Sequence, residues 1–168
     1  RGSLTYIMNT VQEYLRYQPE PYELLIDSQT VKEKAFLVAC GNASQYGNNA
    51  FIAPHANIQD GKMDITILSP FGPLDIAPLA IQLFTKQIDR NSKIKTFKGK
   101  EVTIIRQNPG VMHLDGEPIM ADSRIEISVL PKSLNVLTPE TVSFTEEVQN
   151  LFGEVTRFFD KKLPYIFR

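Results

Sequence analysis

The sequence predicts a mainly β fold: a two-layer antiparallel β-sandwich with one internal helix and helices at both ends. Three observations carry that expectation. Short β-rich runs recur from Tyr22 to Leu137, divided by polar and glycine-bearing turns. One internal stretch, from Leu74 to Ile88, spaces its apolar residues by three and four. Both ends do the same, through Leu4, Ile7, Met8, Val11 and Leu15 at the start and Val148, Leu151, Phe152, Val155, Phe158 and Phe159 at the finish.

Taken in order, Ser3 or Thr5 is placed to cap the first helix, which ends before Pro19 in the hinge "YQPEP". "YELLIDS" and "KAFLVACGN" follow as β-rich segments with polar turns between them. "SQYGNNA" is a loop of residues that tolerate positive φ, and "FIAP" reads as a short strand. "NIQDGKMDITILSP" is a turn feeding the strand Met63–Leu68. In the internal helix the apolar stripe is Leu74, Ala77, Ile81, Phe84 and Ile88. Pro73 suits its first turn, and Pro78 puts the start of the regular part nearby. "IKTFKG", "KEVTIIRQ", "VMHLDG", "RIEISVLP" and "SLNVL" are five further strands, with turns at Lys98-Gly99, Asn108-Pro109-Gly110 and Asp115-Gly116.

The 168 residues suffice for one ordinary domain with a core, and 42% hydrophobic with 22% charged residues describes a soluble globular composition. A net charge of −1 gives no electrostatic case for nucleic acid. No apolar run reaches the roughly 20 residues of a membrane span. The single cysteine, Cys40, excludes an internal disulfide framework, fits a reducing compartment and reads as a buried strand residue. Two histidines, His55 and His113, do not make a catalytic zinc site. Neither Gly-x-x-x-x-Gly-Lys-Ser/Thr nor Gly-x-Gly-x-x-Gly occurs. The chain opens at Arg1 with no initiator methionine, which reads as processing or as a piece of something longer.

Three segments carry candidate chemistry. "VMHLDGEPI" places Asp115 and Glu117 around Gly116. Asp-Gly is the common solution for a two-residue hairpin, and such a turn also lifts a carboxylate clear of the core. There it can take a hydroxyl proton across about 2.6–3.2 Å. "NIQDGK" is a second Asp-Gly turn, again explained as a turn alone, but one carboxylate with turn carbonyls and waters would also suit Mg²⁺. Lys86, Arg90, Lys93, Lys95, Lys98 and Lys100 form a basic segment broken only by Asp89. It reads as a solvated face or as a surface for anionic lipid headgroups.

The order of these motifs resembles the C-terminal half of the diacylglycerol kinase / sphingosine kinase superfamily of lipid kinases, its bacterial members above all. The resemblance rests on "VACGNASQYGNNAFIAPHANIQDGKMDITIL", a helix, "VMHLDGEPI" and "IEISVLPKSLNVLTP", and covers about Arg1 to Pro139. It implies a β-sandwich that faces an N-terminal nucleotide-binding domain across an active-site cleft. The Gly-Gly-Asp-Gly-Thr motif of that partner domain is not in this sequence. The implied organisation is a linker helix over 1–18, the sandwich over 19–140 and a C-terminal amphipathic helix over 141–168.

The resemblance also implies roles. Glu117 is the proton acceptor and Asp115 its orienting or metal-facing neighbour. The first Asp-Gly turn is a Mg²⁺ site through the Asp60 side chain and the backbone of Asn57 and Lys62. ATP is held mainly by the missing domain, and its γ-phosphate passes to a lipid hydroxyl. The fragment alone is then inactive. The protein is expected in the cytoplasm and at the inner membrane face as a peripheral visitor. Its terminal helices rest on the missing domain or pair with a second copy as a homodimer. Where the family has consecutive glycines, this chain has Tyr46-Gly47-Asn48-Asn49, and asparagine's tolerance of positive φ predicts that the loop shape survives. Two other readings stand beside this one: a kinase for a soluble hydroxyl substrate, since NAD kinases share the general fold, and a non-catalytic sandwich that binds lipid or a partner protein.

Overall fold

The computed structural model describes residues 18–47 and 49–137. The linker helix expected over 1–18 and the C-terminal helix expected over 141–168 lie outside that range, apart from residue 18. The chain divides into two compact units, Arg1–Ser133 and Leu134–Arg168, and all the described strands and the helix belong to the first.

Nine strands and one α-helix make up its described part: β1 (Glu20–Ile26), β2 (Gln29–Ala35), β3 (Leu37–Gly41), β4 (Met63–Leu68), α1 (Ile76–Phe84), β5 (Ile94–Gly99), β6 (Glu101–Arg106), β7 (Gly110–Leu114), β8 (Glu117–Ala121) and β9 (Arg124–Ser128). All the strand pairs are antiparallel. They form a four-stranded sheet ordered β2-β1-β6-β9, a three-stranded sheet ordered β3-β4-β5, and the isolated pair β7-β8.

Side-chain alternation decides which faces meet. In the four-stranded sheet the register sets Leu24 opposite Val31 and Ile104, and Ile26 opposite Val102. Period-2 geometry puts all five on one face. From the three-stranded sheet come Met63, Ile65 and Ile67, and the two sets fuse into one core cluster, with Phe97, Ile125 and Ile127 packed against it. Full burial of such side chains is worth about 1.5–3 kcal/mol each. Two sheets closing over one core make this a mainly β sandwich, the expected fold class.

β4 is buried on both faces because its other side is covered too. Leu68 and Ile94 pack there with Leu79 and Leu83 of α1 and with Ile88. The loop before β4 completes the cover: Phe51 and Ala53 are buried, Phe51 N–H donates to the Leu83 carbonyl (2.9 Å), and Thr66 Oγ1 donates to the Ile52 carbonyl (2.9 Å). Asp64, Thr66 and Leu68 therefore face this cover, and Lys98, Thr96 and Ile94 stand opposite them on β5.

Several expected elements differ. The polar residues Gln29 to Glu33, expected as a turn, belong with Lys34 and Ala35 to the strand β2; Val31 and Ala35 are buried while Lys32 and Lys34 are not, and the intervening charges mask the alternation. "FIAP" is irregular: its backbone serves α1 and Thr66 instead of a ladder. "SLNVL" is irregular as well. The internal helix ends at Phe84, and Ile88 sits in a separate 3₁₀ turn, Ile88–Arg90, after Lys86 takes a φ of +60°. Its inward face is Leu79 and Leu83, whereas Leu74 (93% exposed), Ile81 (64%) and Phe84 (57%) of the expected stripe look outward. A helix reading IAPLAIQLF is apolar nearly all round, so spacing alone cannot choose its buried side. Pro78 is harmless at its third position, where no intrahelical N–H bond is lost.

Candidate functional site

Glu117 opens β8 and pairs across the hairpin with Leu114, the last residue of β7. Asp115 (φ +49°) and Gly116 (φ +91°) bridge them, the two positive φ values of a tight hairpin turn. Asp-Gly is there because Gly has no Cβ to resist a positive φ and Asp tolerates it. Both carboxylates are exposed. Within the described residues neither carries a hydrogen bond or ion pair, whereas the nearby His113 Nδ1 lies 3.4 Å from the Gly116 carbonyl.

Arg106 roots this hairpin. Its Nη2 donates to the carbonyls of Gly110 (2.6 Å) and Ala121 (2.7 Å). Nε reaches the Asp122 carbonyl (3.2 Å) and Nη1 the Val111 carbonyl (3.5 Å). One planar cation thus gathers the first residue of β7, the last of β8 and their neighbours. No motif in the sequence pointed to Arg106, because its partners are all main-chain oxygens.

The second site is the Asp60 turn. Asn57 Oδ1 accepts the Gln59 N–H (2.9 Å) and Asp60 Oδ1 accepts the Lys62 N–H (2.9 Å). Asp60 Oδ2 faces the Lys98 ammonium at 3.3 Å. That ammonium also lies 3.1 Å from Asp64 Oδ2 and 3.1 Å from the His55 carbonyl. The Asp64 contact is an ion pair lying off hydrogen-bond angles, so this buried oxygen is satisfied by charge alone. The backbone bond to Lys62 and the ammonium of Lys98 hold the Asp60 carboxyl below its ordinary range, and Asp64 with Asp60 push Lys98 up. With the ammonium in place the turn does not fit a divalent cation: one Asp60 oxygen is used by the backbone and the other by Lys98. Among the described residues no cluster of three His, Cys, Asp or Glu side chains is arranged to hold a metal. No hydrogen bond or ion pair joins the Asp60 turn to the Glu117 hairpin within the same residues.

The remaining sequence candidates are placed as follows. Cys40, half-buried on β3, has its thiol pushed up to about 12 by burial, which keeps it a protonated strand residue. His55 Nε2 meets Asp89 at 3.2 Å. In the basic segment, Lys93 lies beside Asp75 (3.8 Å), Lys95 pairs with Glu33 of the facing sheet, and Lys86 lies over the Phe51 ring (4.4 Å). Asn49 takes a φ of +63°, and Ala50 N–H closes onto the Gly47 carbonyl (2.8 Å). Among the described residues no helix is long and apolar enough to cross a membrane.

A two-sheet sandwich that presents an exposed glutamate on a hairpin turn defines a class of domain, and comparison with known proteins gives it a family. A family profile described as "YegS C-terminal NAD kinase beta sandwich-like domain" matches residues 1–138, and the chain belongs to that family of diacylglycerol kinase-like lipid kinases. It is 28% identical over 143 residues to a diacylglycerol kinase of Mycobacterium tuberculosis, covering 82% of this chain and 44% of that protein. It is 27% identical over 138 residues to a "Probable lipid kinase YegS-like" of Shewanella frigidimarina, again 82% of this chain and 44% of the relative. In fold it is similar to a diacylglycerol kinase from Bacillus anthracis, with a TM-score of 0.58 and 22% identity over 77% of this chain and 44% of the other. The chain therefore spans a little under half the length of the relatives it matches.

Proposed function

We propose that this chain is the acceptor-side domain of an ATP-dependent lipid kinase, with Glu117 as the base that takes the proton from a lipid hydroxyl. The observation that carries the reading is the Glu117 carboxylate: exposed, without a partner in the described residues, and fixed on a hairpin that Arg106 ties at its root. The relatives named as kinases support the reaction class.

The step balances simply. The hydroxyl proton passes to Glu117 as the oxygen forms a bond to the γ-phosphorus of ATP, and the bond to the ADP oxygen breaks. Such transfer is mainly positioning and charge stabilisation. Mg²⁺ accompanying the nucleotide would neutralise phosphate charge. ATP would be held largely by a nucleotide-binding domain beyond this chain, which fits a match to under half of each relative. Asp115, adjacent on the turn, would orient the acceptor. Lys86, Arg90 and Lys100, the cations of the basic segment without a carboxylate partner among the described residues, would meet anionic headgroups when the substrate is presented from a membrane surface.

The test is transfer of labelled phosphate from ATP by the full-length protein, wild type and Glu117→Gln, to a panel of lipids and to NAD. Lipid phosphorylation abolished in the variant supports the proposal. NAD phosphorylation would move the acceptor to the soluble class, and no transfer to either would favour a binding module.

A further inference from the structure

We propose that the Asp60 turn of this chain is closed by an internal cation, the Lys98 ammonium, in the place a divalent metal ion would otherwise take. The inference is independent of the kinase reading.

The geometry matches an ammonium and not Mg²⁺. An ammonium offers three N–H donors. Two of them serve Asp60 Oδ2 (3.3 Å) and the His55 carbonyl (3.1 Å), and the charge pairs with Asp64 Oδ2 at 3.1 Å. Mg²⁺ demands near-octahedral oxygens at about 2.0–2.1 Å. Both Asp60 oxygens already have partners, Oδ1 the Lys62 N–H and Oδ2 the Lys98 ammonium, so a metal would have to displace the ammonium.

The position of Lys98 is fixed by the sheet. β4 and β5 pair with Asp64 directly opposite Lys98, both on the face that the 49–62 loop covers. The Asp64 side chain is only 11% exposed, and its Oδ2 has no other partner. A buried carboxylate oxygen in that state calls for a cation. Asp60 and the His55 carbonyl come from the loop, so the same ammonium latches loop to sheet. Lys62 adds positive charge beside Asp60, which further opposes an incoming divalent ion.

The experiment is thermal unfolding of the ATP-free, full-length protein in EDTA and in millimolar MgCl₂, for wild type, Asp60→Asn and Lys98→Met. Wild type should melt at the same temperature in both. Lys98→Met should melt roughly 3–8 °C lower in EDTA, because Asp64 is stranded. It should recover with Mg²⁺, because the vacated position then admits a metal. Three results would overturn the proposal: a saturable Mg²⁺ stabilisation of wild type that disappears in Asp60→Asn; a Lys98→Met protein as stable as wild type in EDTA; or a weakened Lys98→Met protein indifferent to Mg²⁺. If Lys98→Met does not fold, Mg²⁺ titration calorimetry of wild type against Asp60→Asn decides: heat that requires Asp60 rejects the internal cation, and identical isotherms support it.

Discussion

Arg106 Nη2 and the Gly110 carbonyl oxygen lie 2.6 Å apart, so the last residue of β6 holds the first residue of β7 by a charge-assisted hydrogen bond. The three residues between them make no regular element of their own. The hairpin that carries Glu117 is therefore rooted through one side chain. Arg106→Ala should destabilise the protein by about 1–3 kcal/mol, the cost of leaving carbonyls without their charged donor. Arg106→Lys should rescue little, because a single ammonium cannot span four carbonyls. Urea unfolding measures the loss, and hydrogen exchange should show faster exchange in β7 and β8 while β1 and β4 keep their protection. Uniform acceleration across the domain would deny the hairpin-specific role.

Glu117→Gln keeps the size and hairpin position of the side chain and removes the base. In the full-length protein, kcat for the lipid substrate should fall by roughly 10²–10⁴, the usual worth of general base catalysis. Melting temperature should stay within a degree or so, since surface changes rarely exceed about 0.5 kcal/mol. Steady-state kinetics with a melting curve on the same preparation checks both halves, and near-normal turnover would remove Glu117 from the chemistry.

Gly99 ends β5 where the β1–β2 turn passes closest. A Cβ there would stand 2.6 Å from Ile26 Cγ2 and 3.4 Å from Asp27 Oδ2. Ile26 is a core residue, 3% exposed, with no room to retreat. Gly99→Ala should cost roughly 1–3 kcal/mol as overpacking. In a double-mutant cycle with Ile26→Ala, which removes the clashing methyl, the combined loss should fall short of the sum of the two single losses. Strict additivity would show that the clash is relieved elsewhere.

Asp27 Oδ1 accepts the N–H groups of Lys100 and Glu101, each at 2.9 Å, and these bonds hold its carboxyl below the ordinary aspartate range. Because the folded state lowers this pKa, the stabilisation is present above the unfolded value and is lost as pH falls through the folded one. Asp60, lowered for similar reasons, adds to the same acid limb. Asp27→Asn keeps an acceptor oxygen but cannot titrate. The stability difference between wild type and this variant should hold from neutral pH to about pH 5 and narrow below about pH 4. Urea midpoints along that range read it directly, and parallel pH curves for the two proteins would contradict the assignment.

Much of the fold could be read from local pattern. β4, β5, β6 and β9 carry their β-branched residues in the sequence, and Asp115-Gly116 specifies its own hairpin because few other pairs accept two positive φ values in succession. The placement of Glu117 beside that turn is thus a local property and was legible before any coordinates. β2 was hidden by its own lysines and glutamate, and the buried side of α1 could not be chosen from a helix apolar on every face.

The sequence alone determined that Asp60-Gly61 and Asp115-Gly116 sit on tight turns, since backbone φ preferences act within two or three residues; the turn it placed at Lys98-Gly99 is instead the end of β5. Only the tertiary structure decided what those turns touch. Lys98 is 38 positions from Asp60 and looked like one of six basic side chains; sheet register sets it opposite Asp64, and the covering loop brings Asp60 to it. Arg106 acquires its role the same way, through carbonyls it meets only when β7 and β8 fold back beside β6. Charge interactions fall off with distance in space and not with distance along the chain, so no local pattern could have announced either one.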